Sequence, residues 1–143
     1  MLRSELLIDA DPATVWALTT DVEHLPDLTP TMTEVRRLDD GPLAVGSRAR
    51  IKQPAQPAAV WTVSTLEPER EFVWQTKLGT VTMVGGHHLE PAGDGCRNVL
   101  TLELHGFGSG LLERLLGRRI GAAIATENAG FKTAAESVPP PTA

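Results

Sequence analysis

The sequence predicts an α+β fold: a curved antiparallel sheet of six to seven strands around one long C-terminal helix, with two short helices after the first strand. Three observations carry this. Between about residues 32 and 107, apolar and polar residues alternate at a period of two, interrupted by turn residues at short intervals. From residue 111 the period becomes helical, with Leu111, Leu112, Leu115, Leu116, Ile120, Ala123, Ile124, Glu127, Phe131 and Ala134 recurring on one face. The strands are joined by short links, which argues for an antiparallel meander.

Each element follows in order. Leu2 to Ile8 reads as a strand, with Leu2, Leu6 and Ile8 on one face and Arg3, Glu5 and Asp9 on the other. Asp11-Pro12 starts a helix, since Asp is a favoured N-cap and Pro fits the first helical position. Asp21 begins a second short helical piece that Pro26 and Pro30 end. Strands are expected at Met32–Leu38, around Arg48–Lys52, at Val60–Leu66 and at Phe72–Leu78, with Pro54 to Pro57 as a loop or bulge. Thr80–Glu90 and Arg97–Phe107 form a hairpin with Asp94-Gly95 at its turn. A helix from about residue 109 to 137, roughly 40 Å long at 1.5 Å per residue, has Ser109 as its expected N-cap. It is too long for one small sheet unless the sheet curls around it. Residues 1–138 are expected to form one domain, and the proline-rich residues 139–143 a disordered tail.

Composition excludes several function classes. The chain has 143 residues and a formal net charge of −5. Its basic residues are scattered apart from the pairs Arg36-Arg37 and Arg118-Arg119, so no nucleic-acid partner is expected. Cys96 is the sole cysteine, which forbids an internal disulfide and suggests a cytoplasmic protein. No stretch approaches the roughly 20 apolar residues that span a bilayer. The four histidines and Cys96 show no metal-ligand spacing, and no metal or other cofactor is expected. Gly106-Phe107-Gly108-Ser109-Gly110 opens a helix after a strand, as a dinucleotide fingerprint does, but no further strand follows it.

Several segments together resemble the START-like, helix-grip superfamily, and its polyketide cyclase/dehydrase-like branch (SRPBCC proteins) in particular. They are Ile8-Asp9-Ala10-Asp11-Pro12-Ala13-Thr14-Val15-Trp16, Asp21-Val22-Glu23-His24-Leu25-Pro26, Gly46-Ser47, Trp61 with Val63, Phe72 with Trp74, and Gly86-His87-His88-Leu89-Glu90-Pro91. Gly106 at the end of the last strand, and Glu127 and Glu136 on the long helix, fit the same pattern. The resemblance covers nearly the whole chain. It implies a helix-grip fold with a cavity between sheet and helix that binds lipids, sterols, polyketides or hormones, and in some members a cyclase or aromatase activity. Leu25 and Leu28 stand where the branch carries aromatics, which implies a wider pocket mouth or a different ligand.

Two polar residues stand out on faces expected to be buried. His87 shares the inward strand face with Val81, Met83, Gly85 and Leu89, opposite Leu100, Leu102 and Leu104. A buried neutral imidazole can donate from one nitrogen and accept at the other, which suits a ligand hydroxyl or carbonyl, or acid/base work. Glu127 lies four residues from both Ala123 and Phe131 on the apolar helix face, where a carboxylate must be paired, bonded or neutral. It could meet His87 across a cavity or accept from the indole of Trp61 or Trp74. Both residues have structural alternatives: a core histidine, and a structural hydrogen bond or a rim position for the glutamate. The expected cavity walls are Trp16, Met32, Trp61, Trp74, Met83, Leu102, Phe107, Ile124 and Phe131.

The leading expectation is a monomer or homodimer that binds a small hydrophobic molecule. A second is a polyketide cyclase, aromatase or dehydratase with His87 and Glu127 as acid and base. A third is a protein-interaction module without ligand, whose contact would be Arg48, Arg50 and Lys52 on an outward strand face.

Overall fold

In a computed structural model, residues 1–54 and 56–138 are described. Strand β1 (Leu2–Ile8) leads into helix α1 (Pro12–Thr20) and a 3₁₀ helix at Val22–Asp27. Strands β2 (Glu34–Arg37), β3 (Arg48–Lys52), β4 (Ala59–Glu67), β5 (Glu71–Leu78), β6 (Val81–Ala92) and β7 (Gly95–Gly106) follow, and helix α2 (Ser109–Glu136) comes last. The seven strands form one sheet in the order β1-β7-β6-β5-β4-β3-β2, each antiparallel to its neighbours. Strands β2 to β7 are a meander. Strand β1, first in the chain, adds itself beyond β7, so the N-terminal strand supplies one edge of the sheet.

Register decides which side chains face α2. Directly paired residues share a face, and His87 pairs with Leu100, Gly85 with Leu102 and Met83 with Leu104. On the other side of β6, Phe72 pairs with His87 and Trp74 with Gly85. A register shift between Val63 and Thr65 lets β4 bend while Trp74 stays opposite Val63. The inner face thus collects Trp61, Phe72, Trp74, His87, Leu100 and Leu102, all buried. The Trp61 and Trp74 rings lie 5.8 Å apart and the Phe72 and Trp74 rings 4.9 Å apart. Such tilted and edge-on pairs add about 0.5–1.5 kcal/mol each beyond the area they bury.

Helix α2 is gripped along its C-terminal half. Ile124, Asn128, Phe131 and Ala135 are buried there. Asn98 Nδ2 donates to Asn128 Oδ1 at 2.9 Å, and Asn128 Nδ2 donates to the carbonyl oxygens of Ser4 and Asn98, both at 3.1 Å. One amide on α2 therefore ties the helix to β1 and β7. At Gly130 the helix comes so close to the loop after the 3₁₀ helix that a Cβ would collide with the Leu28 carbonyl oxygen. Near the helix end, Lys132 donates to the Leu7 carbonyl, and Glu136 accepts from Lys132 and from the Asp9 amide.

The structure corrects several expectations. The hairpin turn is Gly93-Asp94, not Asp94-Gly95, because Ala92 pairs with Gly95. Gly93 takes the positive φ of the first turn position (58°), while Gly95 sits in the ladder, where a Cβ would collide with the Ile8 carbonyl oxygen. The N-cap of α2 is Gly108, in the left-handed region, and Ser109 is the first helical residue. Leu111 and Leu115 are exposed rather than buried, because at 100° per residue they lie on the side of α2 away from Ile120 and Ile124, and Leu116 is partly exposed beside the cavity. Ala135, not Ala134, is the fully buried residue at the helix end. Strand β2 is shorter than expected, and the loop at 54–57 forms where the prolines predict it, with Ala55 outside the described residues. The tail expected at 139–143 also lies outside them.

Candidate functional site

Between the sheet and the middle of α2 lies a cavity of about 380 Å³. At Gly85 of β6 the absent side chain lets the Trp61 and Trp74 rings lie close to the backbone, and Leu112, Leu116, Ile120, Ala123 and Ile124 of α2 face the sheet across the cavity. The walls are apolar: Met32 and Ile51 at one side, Trp61 and Trp74 below, Met83 and Leu102 beyond, and Leu112, Ile120 and Ile124 above. Thr31, Gln53, Gln56 and Arg119 give the rim its polar groups. Lys52 Nζ donates to the carbonyl oxygens of Gln53 and Gln56, which holds the rim loop in place.

His87 and Glu127 meet at the floor. The distance from His87 Nε2 to Glu127 Oε1 is 3.9 Å, and the two side chains are 7% and 15% exposed. That gap exceeds hydrogen-bond length. It is also not an ion pair, because burial disfavours both charged forms. Desolvation, with a smaller contribution from His88, lowers the His87 pKa to about 3, and desolvation raises that of Glu127 to about 7. Near neutral pH the imidazole is uncharged and the carboxyl is poised between its two forms. Phe72 and Phe131 hold the imidazole edge-on, with ring centroids 5.4 and 5.7 Å away. His87 Nδ1 is buried with no partner among the described residues. Neither indole bonds Glu127, whose carboxyl has no hydrogen-bond donor among the described residues.

His87 and Glu127 therefore keep polar atoms without hydrogen-bond partners among the described residues, both imidazole nitrogens and both carboxyl oxygens, with Nε2 3.9 Å from Oε1. A ligand oxygen between them could accept from a protonated Glu127 and donate to, or accept from, His87 Nε2. No group of three or more His, Cys, Asp or Glu residues among those described could hold a metal ion.

The structure brings together His87, Glu127, Met32, Trp61, Trp74, Met83, Leu102 and Ile124 around the cavity. Three other residues expected there lie elsewhere. Trp16 is half-buried on α1 and packs against the core. Phe131 is fully buried behind His87, supporting it rather than lining the space. Phe107 is 88% exposed, held outside by the turn before α2. Leu25 belongs to the core and Leu28 packs against it; neither forms a cavity wall. Sequence reading misses Asn98 and Asn128, both fully buried. A signal exists for Asn128, which lies four residues after Ile124 and three before Phe131 on the same face that draws attention to Glu127.

No helix among the described residues is long and apolar enough to cross a membrane. No curated protein matches the sequence. Among solved structures, TTHA0849 of Thermus thermophilus is similar at a TM-score of 0.73 and 22% identity, over 92% of this chain and 94% of that one. A START superfamily protein of Mycobacterium smegmatis matches at a TM-score of 0.73 and 13% identity, over 94% and 96%. StfQ, a di-domain ARO/CYC of the steffimycin biosynthetic pathway, matches at a TM-score of 0.75 and 13% identity, over 94% of this chain and 50% of StfQ. These likenesses show the fold, the START-like helix grip. The profile of the family described as polyketide cyclase / dehydrase and lipid transport matches residues 2–136, and the chain belongs to that family.

Proposed function

We propose that the protein binds one small, largely apolar molecule between sheet and helix, with a single neutral oxygen of that molecule seated between His87 and Glu127. The observation that carries this reading is the apolar cavity of about 380 Å³ whose floor holds two polar side chains with no partner for each other. Small-molecule sites have this form: apolar walls for affinity and a few convergent polar groups for orientation. A buried polar group left unpaired costs about 1–3 kcal/mol, and a ligand oxygen at the floor removes that cost. Native mass spectrometry of the purified protein should show a retained lipid or polyketide-like molecule. His87→Ala and Glu127→Ala should each weaken its retention, and unchanged retention in both variants would sink the reading.

A second reading is favoured by the Glu127 carboxyl alone. A group poised near pH 7 can both give and take a proton. Beside a neutral imidazole it could serve cyclisation or dehydration of a carbonyl chain folded by the cavity walls. StfQ is described as an ARO/CYC, and the family description names cyclases and dehydrases beside lipid transport. The variant Glu127→Gln discriminates the readings. Under the enzymatic one, it abolishes turnover of a poly-β-carbonyl substrate while leaving it bound.

A further inference from the structure

The cavity mouth is set in a surface that is both apolar and cationic. Phe107 is 88% exposed, Leu115 70% and Leu111 61%. Phe107 is not a frayed side chain. It is held out between Gly106 and Gly108, both at positive φ, and its carbonyl accepts from Thr80 Oγ1 at 2.8 Å. That bond ties the β5–β6 turn to the start of α2 and brings the exposed Leu78 to the same end of the molecule. The charges there run against the rest of the chain. Between residues 107 and 126 stand Arg114, Arg118 and Arg119 with one carboxylate, Glu113, in a chain of net charge −5. Glu113 is engaged by the N-terminal amine at 3.3 Å, and none of the three arginines has a salt-bridge partner among the described residues.

We propose that this end of the molecule docks on an anionic lipid bilayer, with Phe107, Leu111 and Leu115 entering the interface and Arg114, Arg118 and Arg119 facing the headgroup charge. On a helix, Leu111, Arg114, Leu115 and Arg118 fall on one outward stripe, and such a pattern of apolar and basic side chains lies in the plane of a charged membrane surface. A second copy fits the patch less well. In a two-fold dimer the patch meets itself, so the arginines would oppose arginines. Docking also gives the cavity an approach from the bilayer. The exposed lining residues Leu78, Leu116 and Arg119 belong to this same end, so an apolar occupant could enter without crossing water. That last consequence rests on the ligand-binding reading; the docking itself does not.

The test is cosedimentation of the full chain with vesicles of phosphatidylglycerol and phosphatidylcholine, and with phosphatidylcholine alone. The unmodified chain should bind the anionic vesicles and release them as salt is raised. The double variants Phe107→Ser with Leu115→Ser, and Arg114→Ala with Arg118→Ala, alter only exposed side chains. Each should weaken binding by at least about tenfold without lowering the melting temperature. Glu127→Ala should bind vesicles as the unmodified chain does, so a failure of ligand binding and a failure of docking are read separately. Absence of cosedimentation with anionic vesicles, equal binding to phosphatidylcholine alone, or undiminished binding by either double variant would each overturn the proposal. So would vesicle-free self-association that Phe107→Ser with Leu115→Ser abolishes, which would assign the patch to a second copy.

Discussion

The two halves of α2 have much the same helical geometry and opposite surroundings. From Ile124 onward the helix is held by a buried ring (Phe131), a buried amide network (Asn128) and a close backbone approach (Gly130). From Ser109 to Ala123 it has cavity on one side and solvent on the other, with Leu111 and Leu115 exposed to solvent. One half grips and the other covers, and the floor of the cavity sits where they meet. There Glu127 and Asn128, adjacent in sequence, take opposite roles. Asn128 is fully bonded and structural, while Glu127 is buried and unbonded among the described residues, open to a ligand.

The contrast is tested most severely at Phe131. Phe131→Ala should destabilise the fold by about 3–5 kcal/mol, the usual consequence of emptying a well-packed aromatic site. Leu115→Ala should change stability by less than about 0.5 kcal/mol. Chemical denaturation checks both, and comparable losses would mean that the first half of α2 is also gripped. Hydrogen exchange should agree, with amides before residue 120 exchanging faster than those after 124.

Glu127 gives a pH-dependent effect of similar size. Its folded pKa lies above the unfolded value, so the folded chain keeps a proton that the unfolded chain releases. The stability this contributes is present below pH 4.5 and lost as pH rises through about 7. A difference of that size corresponds to about 3 kcal/mol. Glu127→Gln should remove this dependence and leave the protein more stable than the unmodified chain above neutrality. His87 acts in the opposite sense. Its folded pKa is depressed, so its contribution is present above pH 6.5 and lost as pH falls toward about 3. Melting temperatures of Glu127→Gln and His87→Ala across pH separate the two contributions. A Glu127→Gln profile parallel to that of the unmodified chain would show that the carboxyl is not desolvated.

The smallest structural effect expected in the gripped half is at Asn128. Asn128→Ala leaves Asn98 Nδ2 without its acceptor and should cost about 1–3 kcal/mol. It should leave ligand retention unchanged if Asn128 only clamps. A loss of ligand without a loss of stability would reverse the roles assigned to the two neighbours.

Much of this architecture is legible in residue order. The alternation in β3 to β7 places Trp61, Trp74, His87 and Leu102 on one face, and helical spacing places Ile124, Glu127 and Phe131 on another. Both periodicities follow from backbone geometry within a few residues, so they need no tertiary information. Leu111 and Leu115, expected on the same face as Ile124, stand in solvent. At 100° per residue they drift to the far side of the helix from Ile124, so an apolar run of this length does not by itself mark one buried stripe. Phe107 departs from its expected place because it is out of phase with Leu100, Leu102 and Leu104, and the positive-φ glycines on either side carry it into the turn before α2.

Residue order alone thus determines most of the elements, the antiparallel meander from β2 to β7 and the presence of a histidine and a glutamate on apolar faces, whereas the place of β1 beside β7 is decided by the tertiary structure. Which buried polar groups are spent and which are free is settled by the folded chain. Asn128 finds its partners 30 and 124 positions away, whereas Glu127 finds none among the described residues and stands 3.9 Å from His87. Local spacing cannot report such distances, because hydrogen-bond satisfaction depends on where distant strands bring their donors and acceptors. The cavity has the same origin: it is the space enclosed between the inner face of the sheet and the covering half of α2, elements that only the folded chain sets opposite each other.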